Sequence, residues 1–262
     1  MECIQRVFLR VQDYMQKDHE LEELTSFLDS EPPEFRSVAY ESASMEIGMW
    51  DLSNRKELNN WKLFYQCAAN VHTFHMEIGL GWAFAKAEIP VDAYLKSIEP
   101  VMSWMIFDGI GYYHGLFKGR RTVKNQLLPE GLDGQDLPGF DQGLGRRLWY
   151  IAKGEVQEAA DLIKPFQAAR HHDLWRGVGI ACGYVGGNEK ADLERLLNLS
   201  GSCKKQLRTG IALAAISRNA SDSVSEDIEQ ACEIICGMPL MNVLILETGL
   251  REQFYSKSGI KS

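Results

Sequence analysis

The sequence predicts an all-α protein formed by a single globular helical domain, and two observations point to this fold class. Strand signals are sparse, because no segment alternates apolar and polar residues for long and no Asn-Gly turn separates β-branched runs. Helical periodicity recurs instead, with apolar residues three and four positions apart along most of the chain. The 262 residues, 45% of them hydrophobic, are enough to bury a core of useful size.

The helices can be placed in order from the N-terminus. Apolar spacing predicts an N-terminal helix over residues 4–28, which Pro32 and Pro33 end because consecutive prolines cannot continue a helix. Further helices are predicted over residues 36–50, 56–70, 73–87, 100–117, 141–151, 154–163, 166–185, 189–198, 203–217 and 223–237. Ser223 and Glu226 have the spacing of a capping box at the last helix. Residues 119–140 are expected to form a long connecting loop, and the polar tail 251–262 is expected to fray.

The chain also resembles itself at an offset of 100 residues. His72 aligns with His172, and the string around Gly79 aligns with the string around Gly179. With a slip of one residue, Gly109 aligns with Gly210. These co-linear matches predict two sequence-related halves, about 36–118 and 136–218, within the one domain 1–262. The alternative is that sequences of packed helices drift into likeness.

Glycines cluster inside the predicted helices, although glycine costs about 1 kcal/mol relative to alanine there. The clusters contain Gly79, Gly81, Gly109, Gly111, Gly115, Gly177, Gly179, Gly183, Gly186 and Gly187. Close approach of two helix backbones explains them best, with a cavity wall as the alternative. A dinucleotide-binding loop is disfavoured because no strand precedes the glycines.

Charge and composition exclude several functional classes. The net charge is −8, and the densest basic pairs are too small for a nucleic-acid-binding surface. No apolar run has the length of a membrane span and no signal-peptide pattern opens the chain, so we expect a cytoplasmic protein. The six scattered cysteines are expected to be mostly buried free thiols in a reducing compartment.

Five strings in the same order resemble a bacterial family of unknown function associated with enediyne polyketide biosynthesis. They are Phe35-Arg-Ser-Val-Ala-Tyr-Glu, His75-Met-Glu-Ile-Gly-Leu-Gly-Trp-Ala, Trp104-Met-Ile-Phe-Asp-Gly-Ile-Gly-Tyr-Tyr-His-Gly, Phe140-Asp-Gln-Gly-Leu-Gly-Arg-Arg-Leu-Trp-Tyr and Leu174-Trp-Arg-Gly-Val-Gly-Ile-Ala-Cys-Gly-Tyr. Ser42 and Tyr113 depart from the residues that are usual in that family. The resemblance implies a bacterial specialised-metabolite pathway that handles long, apolar, unsaturated intermediates.

The residues contain no established catalytic motif. There is no Glu-x-x-His pair, phosphate-binding loop or nucleophile elbow. The histidines at 72, 75, 171 and 172 are better explained as core or surface residues than as zinc ligands, so no metal and no cofactor is expected.

Asp108 and His114 are therefore the candidate catalytic residues. Asp108 follows a mostly apolar run, where burial would raise the pKa of its carboxyl and make it a general acid. The alternative is that Asp108 caps a helix or forms an ion pair with Arg146 or Arg147. His114 would lie on a different face of the same helix.

Aromatic and charged residues within the five strings form the expected substrate pocket. They are Trp82, Trp104, Tyr112, Tyr113, Asp141, Arg146, Trp149, Trp175 and Tyr184. Flat rings beside small residues suit a conjugated ligand or a developing cation, although each ring taken alone is more often part of a core. Pairing between Asp141 and an arginine as a structural brace is an equally good interpretation.

Together these observations predict a protein that binds a hydrophobic small molecule and promotes its cyclisation or isomerisation by cofactor-independent proton transfer. A terpenoid-type and a polyketide-type cyclisation are both compatible with it. The alternative is a non-catalytic binding or chaperone module that sequesters a pathway intermediate or docks on a synthase. A second copy of the chain or a synthase is the candidate protein partner. A closed aromatic cavity with a buried carboxylate would favour the enzyme, and a shallow groove would favour the binder.

Overall fold

The computed structural model describes residues 2–17, 20–54, 57–94, 104–132 and 134–246. These residues form helices and turns, and no β-strand occurs among them, so the predicted all-α class is confirmed. The helices group into two compact units. The first extends to Arg147 and includes Ala220–Ser223, and the second holds Leu148–Asn219 and the residues from Val224 onward.

The first unit contains α1 to α5 and most of α6. Their bounds are Glu2–Met15 (α1), Leu21–Asp29 (α2), Pro33–Ser53 (α3), Asn59–Ala87 (α4), Trp104–Phe117 (α5) and Leu137–Ile151 (α6), with a π-helix over Arg120–Lys124. Helix α4 packs along both α3 and α5, and α1 packs on α3. Large side chains such as Trp61, Phe64 and Phe84 are almost fully buried in this unit, as the apolar spacing predicts.

Helix α4 is bent at His72, where φ is −115° and ψ is 18°. The sequence predicts a break here, between helices at 56–70 and 73–87. The Nδ1 atom of His72 lies 3.0 Å from the Ser37 hydroxyl, and its ring stacks on Tyr40 at 4.1 Å. These contacts hold the bend against α3. Burial, more than the nearby Arg36 charge, lowers the pKa of His72 to about 4.

The second unit contains α7 to α12. Their bounds are Val156–Ile163 (α7), His171–Val185 (α8), Lys190–Leu199 (α9), Lys204–Ala220 (α10), Glu226–Ala231 (α11) and Leu240–Leu246 (α12). Short 3-10 turns over Ala168–Arg170 and Gly201–Cys203 and a π-helix over Cys232–Cys236 complete it. Helix α7 packs on α8 and α9, and α11 packs on α8.

Several predicted boundaries differ from the structure. The N-terminal segment is two helices, α1 and α2, rather than one. The segment 119–140 is not a plain loop, since it contains the π-helix and the first turn of α6. The capping box is wrong: Ser225 is the N-cap of α11, and no side-chain hydrogen bond caps it. The tail 251–262 and the first residues of the predicted helix 100–117 lie outside the described residues.

Glycines allow close helix crossings in both units, as inferred from their clustering, whereas Gly186 and Gly187 follow α8 with positive φ and lie at no crossing. A Cβ atom on Gly81 of α4 would lie 3.0 Å from the Cα of Gly109 on α5. A Cβ atom on Gly179 of α8 would lie 3.1 Å from the Cα of Gly210 on α10. Gly79 lies at a different crossing, against the backbone carbonyl of Glu41 on α3. Gly81, rather than Gly79, therefore has the packing that corresponds to Gly179, while the relationship between the two halves stays a prediction.

The cysteines are less buried than the sequence predicts. All six are free, but only Cys182, Cys203 and Cys232 are buried, and Cys3 and Cys67 are exposed. Among the described residues, no single helix is both long and apolar enough to cross a membrane. The segments Glu226–Cys236 and Leu240–Leu246, bent by 71° at their junction, reach that length and composition only as a pair.

Candidate functional site

The crossing of α5 and α6 positions the residues of a buried polar cluster. A Cβ atom on Gly143 of α6 would meet the carbonyl oxygen of Asp108 and lie 2.8 Å from the backbone nitrogen of Tyr112. This contact between backbones sets the register of the two helices. Asp108 and Tyr112 are one turn apart on α5, and they face Gln142 and Arg146, one turn apart on α6.

Asp108 is fully buried and lies between two donors from α6. The Nε2 atom of Gln142 donates a hydrogen bond of 2.6 Å to its Oδ2, and Nη2 of Arg146 forms an ion pair with its Oδ1. The guanidinium of Arg146 also lies 4.9 Å from the centre of the Tyr112 ring, within cation–π range. Asp108 is expected to act as a general acid only if no cation lies beside it, and Arg146 does lie beside it. The structure therefore agrees with the other interpretation, an ion pair between Asp108 and Arg146.

Glu41 of α3 is a second buried carboxyl close to this ion pair. Its side chain is 7% exposed. The pKa of Glu41 is raised to about 7, chiefly by burial and in part by the Asp108 charge, against the opposing effect of Arg146. Burial alone would lower the pKa of Arg146, but the charges of Asp108 and Glu41 raise it. The charge of Arg146 thus acts on a second buried carboxyl, Glu41, which holds a proton up to neutral pH.

Aromatic rings cover one side of the cluster. Trp82 of α4 stacks on Tyr112 at 5.5 Å, and Tyr113 and Phe117 of α5 lie edge-on to Trp82 at 5.9 Å and 6.1 Å. Phe8 of α1 lies 5.4 Å from the same ring. The Trp82 Nε1 atom is buried without a hydrogen-bond partner among the described residues. The predicted residues Trp82, Tyr112 and Tyr113 therefore do come together, and they do so beside Arg146.

A separate cleft of about 370 Å³ lies in the first unit, on the other side of α5. It is half open to solvent. Its apolar residues include Phe84, Val91, Phe107 and Ile110, and its polar residues include His114, Lys118 and Arg121. Residues Pro129–Leu132 of the segment before α6 form part of its wall. The cleft thus combines an apolar surface with a few polar groups, as ligand sites commonly do.

His114 is the titratable side chain that reaches the cleft from α5. It is 8% exposed, and its ring lies 5.9 Å from the ring of Phe140. Burial lowers the pKa of His114 to about 4, and the positive charges of Lys118 and Arg121 contribute to the shift. The imidazole is consequently neutral at physiological pH, so it can accept a proton, and once protonated it readily gives the proton back.

Charges at the edge of the cleft are of both signs. The Lys118 Nζ atom donates a hydrogen bond of 2.7 Å to the exposed Glu88 carboxylate. Asp92, Glu130 and Asp136 add three acidic groups, and Arg121 adds one basic group. The edge is therefore net acidic, which disfavours a ligand that carries several negative charges.

The two predicted catalytic residues do not share a site. Asp108 points to α6, whereas His114, six residues later, lines the cleft, in agreement with the different helix faces expected for them. Trp104 is half-buried at the start of α5, and Asp141 is fully buried in α6.

The other three predicted pocket residues, Trp149, Trp175 and Tyr184, belong to the second unit. Both tryptophans are buried there. The guanidinium of Arg218 lies 4.4 Å from the Tyr184 ring and donates to the Tyr184 carbonyl oxygen. These contacts are typical of core packing, which is the alternative that the sequence left open for each ring.

Sequence reasoning missed Glu41 and Gln142 in the buried cluster and Lys118 and Arg121 at the cleft. A signal for Glu41 was present, because it is a single charge in the otherwise small and apolar run Ser37–Met45 of one helix. Gln142 lies one turn before Arg146, so an arginine facing Asp108 implies a second partner at that position. Nothing local in the sequence marks the two cleft cations.

The four histidines considered as zinc ligands differ in their surroundings. His72 and His75 are buried, while His171 is half-buried with its Nε2 atom 2.8 Å from the Phe166 carbonyl oxygen. In the part of the chain that the structure describes, no group of three or more His, Cys, Asp or Glu side chains is arranged to hold a metal ion.

Comparison with known proteins identifies the family. The family model described as "Protein of unknown function (DUF1702)" matches residues 1–258, so the chain belongs to this family. No curated protein and no solved structure is significantly similar to it.

Proposed function

We propose that this member of the DUF1702 family binds a long, hydrophobic, unsaturated molecule in the cleft beside His114 and isomerises or cyclises it by proton transfer. The proposal includes no cofactor. It places the protein in the cytoplasm of a bacterium, within a pathway of specialised metabolism such as that of an enediyne polyketide. This context rests on the sequence resemblance alone.

The observation that carries the proposal is the neutral imidazole of His114 in a cleft whose wall includes the apolar side chains Phe84, Phe107 and Ile110. A neutral imidazole can remove a proton from carbon when the resulting charge is delocalised over a carbonyl or a polyene. Returning that proton to another carbon of the same molecule moves a double bond, and no net acid or base is consumed. Cyclisation follows when the carbanion instead attacks a carbonyl carbon of the same chain: the π bond of that carbonyl opens, and its oxygen takes the proton back from His114.

This chemistry favours a polyketide-type over a terpenoid-type reaction. Protonation of an alkene needs a strong acid, and His114 is held in its neutral form. Asp108 forms an ion pair with Arg146, and it is not among the residues that line the described cleft. Glu41 retains a proton up to about pH 7, but it is not among the residues that line the described cleft. Asp108 is thus proposed as a positioning residue for α5, and His114 as the base.

A test of ligand binding can use retinol, an uncharged conjugated polyene whose fluorescence rises in apolar surroundings. Ile89 lines the cleft and is half-buried, so Ile89→Trp should fill part of it and weaken retinol binding at least about tenfold, on the order of 1.4 kcal/mol. Leu63→Trp, at an exposed position of α4, is the matched control and should bind like the wild type. Equal binding by all three proteins would mean that the cleft is not the ligand site.

A test of catalysis can use β-ionone, a conjugated ketone whose acidic hydrogens exchange with deuterated water. Mass spectrometry should detect exchange that is at least about 100-fold faster with the wild type than with His114→Gln, as expected for a positioned base. The glutamine variant should still bind retinol. Equal exchange rates would refute the base role of His114.

The half-open cleft also supports a second candidate function, a binding module without turnover. Such a protein would protect an unsaturated intermediate from water or deliver it to a synthase. Retinol binding that depends on the cleft, together with exchange that does not depend on His114, would favour this function over the enzyme.

A further inference from the structure

A continuous basic and apolar segment joins α5 to the wall of the cleft. Residues 117–128 read Phe-Lys-Gly-Arg-Arg-Thr-Val-Lys-Asn-Gln-Leu-Leu, with four basic residues and no acidic one. The whole chain has a net charge of −8, so this concentration of positive charge is unusual for it. The function proposed above does not require the segment to be exposed.

The π-helix holds the segment in a defined conformation. Asn125 donates its backbone N–H to the Arg120 carbonyl at 3.1 Å, and Leu127 donates to the Arg121 carbonyl at 3.0 Å. Thr122 is fully buried and anchors the inner face of the helix. Arg120, Arg121 and Lys124 are exposed as a result, and among the described residues none of them has an acidic partner within ion-pair distance.

Large apolar side chains lie on either side of these charges. Phe117 is 62% exposed at the end of α5, and Leu127 and Leu128 are 51% and 36% exposed after the π-helix. We call Phe117, Arg120, Arg121, Lys124, Leu127 and Leu128 the basic-apolar patch. Exposed apolar groups of this size next to exposed cations that form no ion pair among the described residues are typical of an interaction surface.

We propose that the basic-apolar patch docks the protein on an anionic lipid surface. Lipid headgroups would attract the three unpaired cations, and Phe117, Leu127 and Leu128 would enter the boundary between headgroups and acyl chains. A nucleic acid would satisfy the cations but would leave both leucines exposed to water, so a lipid surface accounts for more of the patch. Docking would bring the cleft wall, which includes Arg121 and Pro129–Leu132, close to the source of apolar molecules.

Sedimentation with vesicles of equal parts phosphatidylserine and phosphatidylcholine tests the proposal. The wild-type protein should co-sediment with these vesicles at low salt, bind vesicles of phosphatidylcholine alone much less, and dissociate as salt is added. Each basic residue near an anionic surface strengthens binding about fivefold. The double variant R120E/K124E, whose residues do not line the cleft, should therefore bind at least about tenfold more weakly.

Matched controls separate the patch from net charge and from general hydrophobicity. K204E/K205E changes the net charge equally at two exposed positions of α10, and it should bind like the wild type. Leu127→Ser should weaken vesicle binding, whereas Leu63→Ser, at a similarly exposed leucine of α4, should not.

Three results would overturn the proposal. The first is that the wild type does not bind the mixed vesicles. The second is that K204E/K205E weakens binding as much as R120E/K124E. The third is that a DNA duplex of equal phosphate concentration binds as tightly as the vesicles, without any effect of Leu127→Ser. That last result would assign the patch to polyanions in general.

Discussion

Arg146 is central to the buried polar cluster, because its guanidinium forms an ion pair with Asp108 and its charge also lowers the pKa of the Glu41 carboxyl. Removing a charged group from water costs several kcal/mol, and the ion pair offsets this cost only while both partners are present. The ion pair therefore holds α5 and α6 together through Asp108 and Arg146. An ion pair between two helices is suited to positioning them.

Replacing Asp108 tests this structural role. Asp108→Asn should lower the free energy of unfolding by about 3 kcal/mol or more, because it leaves the Arg146 charge buried without its anionic partner. The double variant Asp108→Leu with Arg146→Met should lose less stability than the sum of the losses in Asp108→Leu and Arg146→Met alone. Denaturant unfolding of the wild type, the two single variants and the double variant measures this difference. Additive losses would indicate that the two groups do not interact.

Helix crossings without side chains between them determine where the cluster forms. Gly111 and Gly143 bring α5 and α6 into backbone contact, and Gly81 and Gly109 do the same for α4 and α5. A methyl group added at such a position would clash with backbone atoms of the facing helix, and these can move only if the whole helix moves. The register of the polar residues on α5 and α6 depends on these contacts.

A pair of glycine substitutions tests the crossing. Gly143→Ala places a Cβ atom against the Asp108 carbonyl, and it should lower the free energy of unfolding by about 3 kcal/mol, the upper end of the range for overpacking. Gly119→Ala is the matched control, because nothing lies within 4 Å of its Cβ and its backbone is helical. It should stabilise the protein by about 0.4–1 kcal/mol. Thermal unfolding measures both changes in stability. Equal changes for Gly143→Ala and Gly119→Ala would show that the crossing at Gly143 is not tightly packed.

The sequence is sufficient to predict most helices, because the three-and-four spacing of buried residues follows directly from helix geometry. It also predicts the break near His72, and it offers the ion pair of Asp108 with an arginine as one of two alternatives. The π-helix over Arg120–Lys124 has no such period, so the sequence predicts a loop there. The cleft is formed by residues of α4, α5, the segment 88–92 after α4 and the segments between α5 and α6, and no local sequence pattern predicts that these segments meet.

At the scale of the whole molecule, two buried titratable groups make stability depend on pH in opposite directions: Glu41 favours low pH and His72 favours high pH. The pKa of Glu41 is about 7 in the folded protein, whereas its ordinary value is 4.5, so folding retains a proton and its contribution is lost as pH rises from 4.5 through 7. The pKa of His72 is about 4 in the folded protein, whereas its ordinary value is 6.5, so its contribution is lost as pH falls from 6.5 through 4. Each effect is on the order of 3 kcal/mol.

Two variants separate these effects. Glu41→Gln should be progressively more stable than the wild type as pH rises from 4.5 to 7, with the difference constant above that range. His72→Gln should lose less stability than the wild type on acidification from pH 6.5 to 4. Urea unfolding across this pH range measures both slopes. Parallel profiles for a variant and the wild type would show that the group in question does not titrate differently on folding.

The central claim is that a neutral His114 lines a ligand cleft, and NMR titration of its imidazole, assigned by comparison with His114→Gln, tests it most directly. The account predicts that His114 stays uncharged down to about pH 4, and that adding retinol shifts its resonances while those of His171, which does not line the cleft, stay unchanged. Titration of His114 near the ordinary histidine pKa of 6.5, with resonances that do not respond to retinol, would contradict the account.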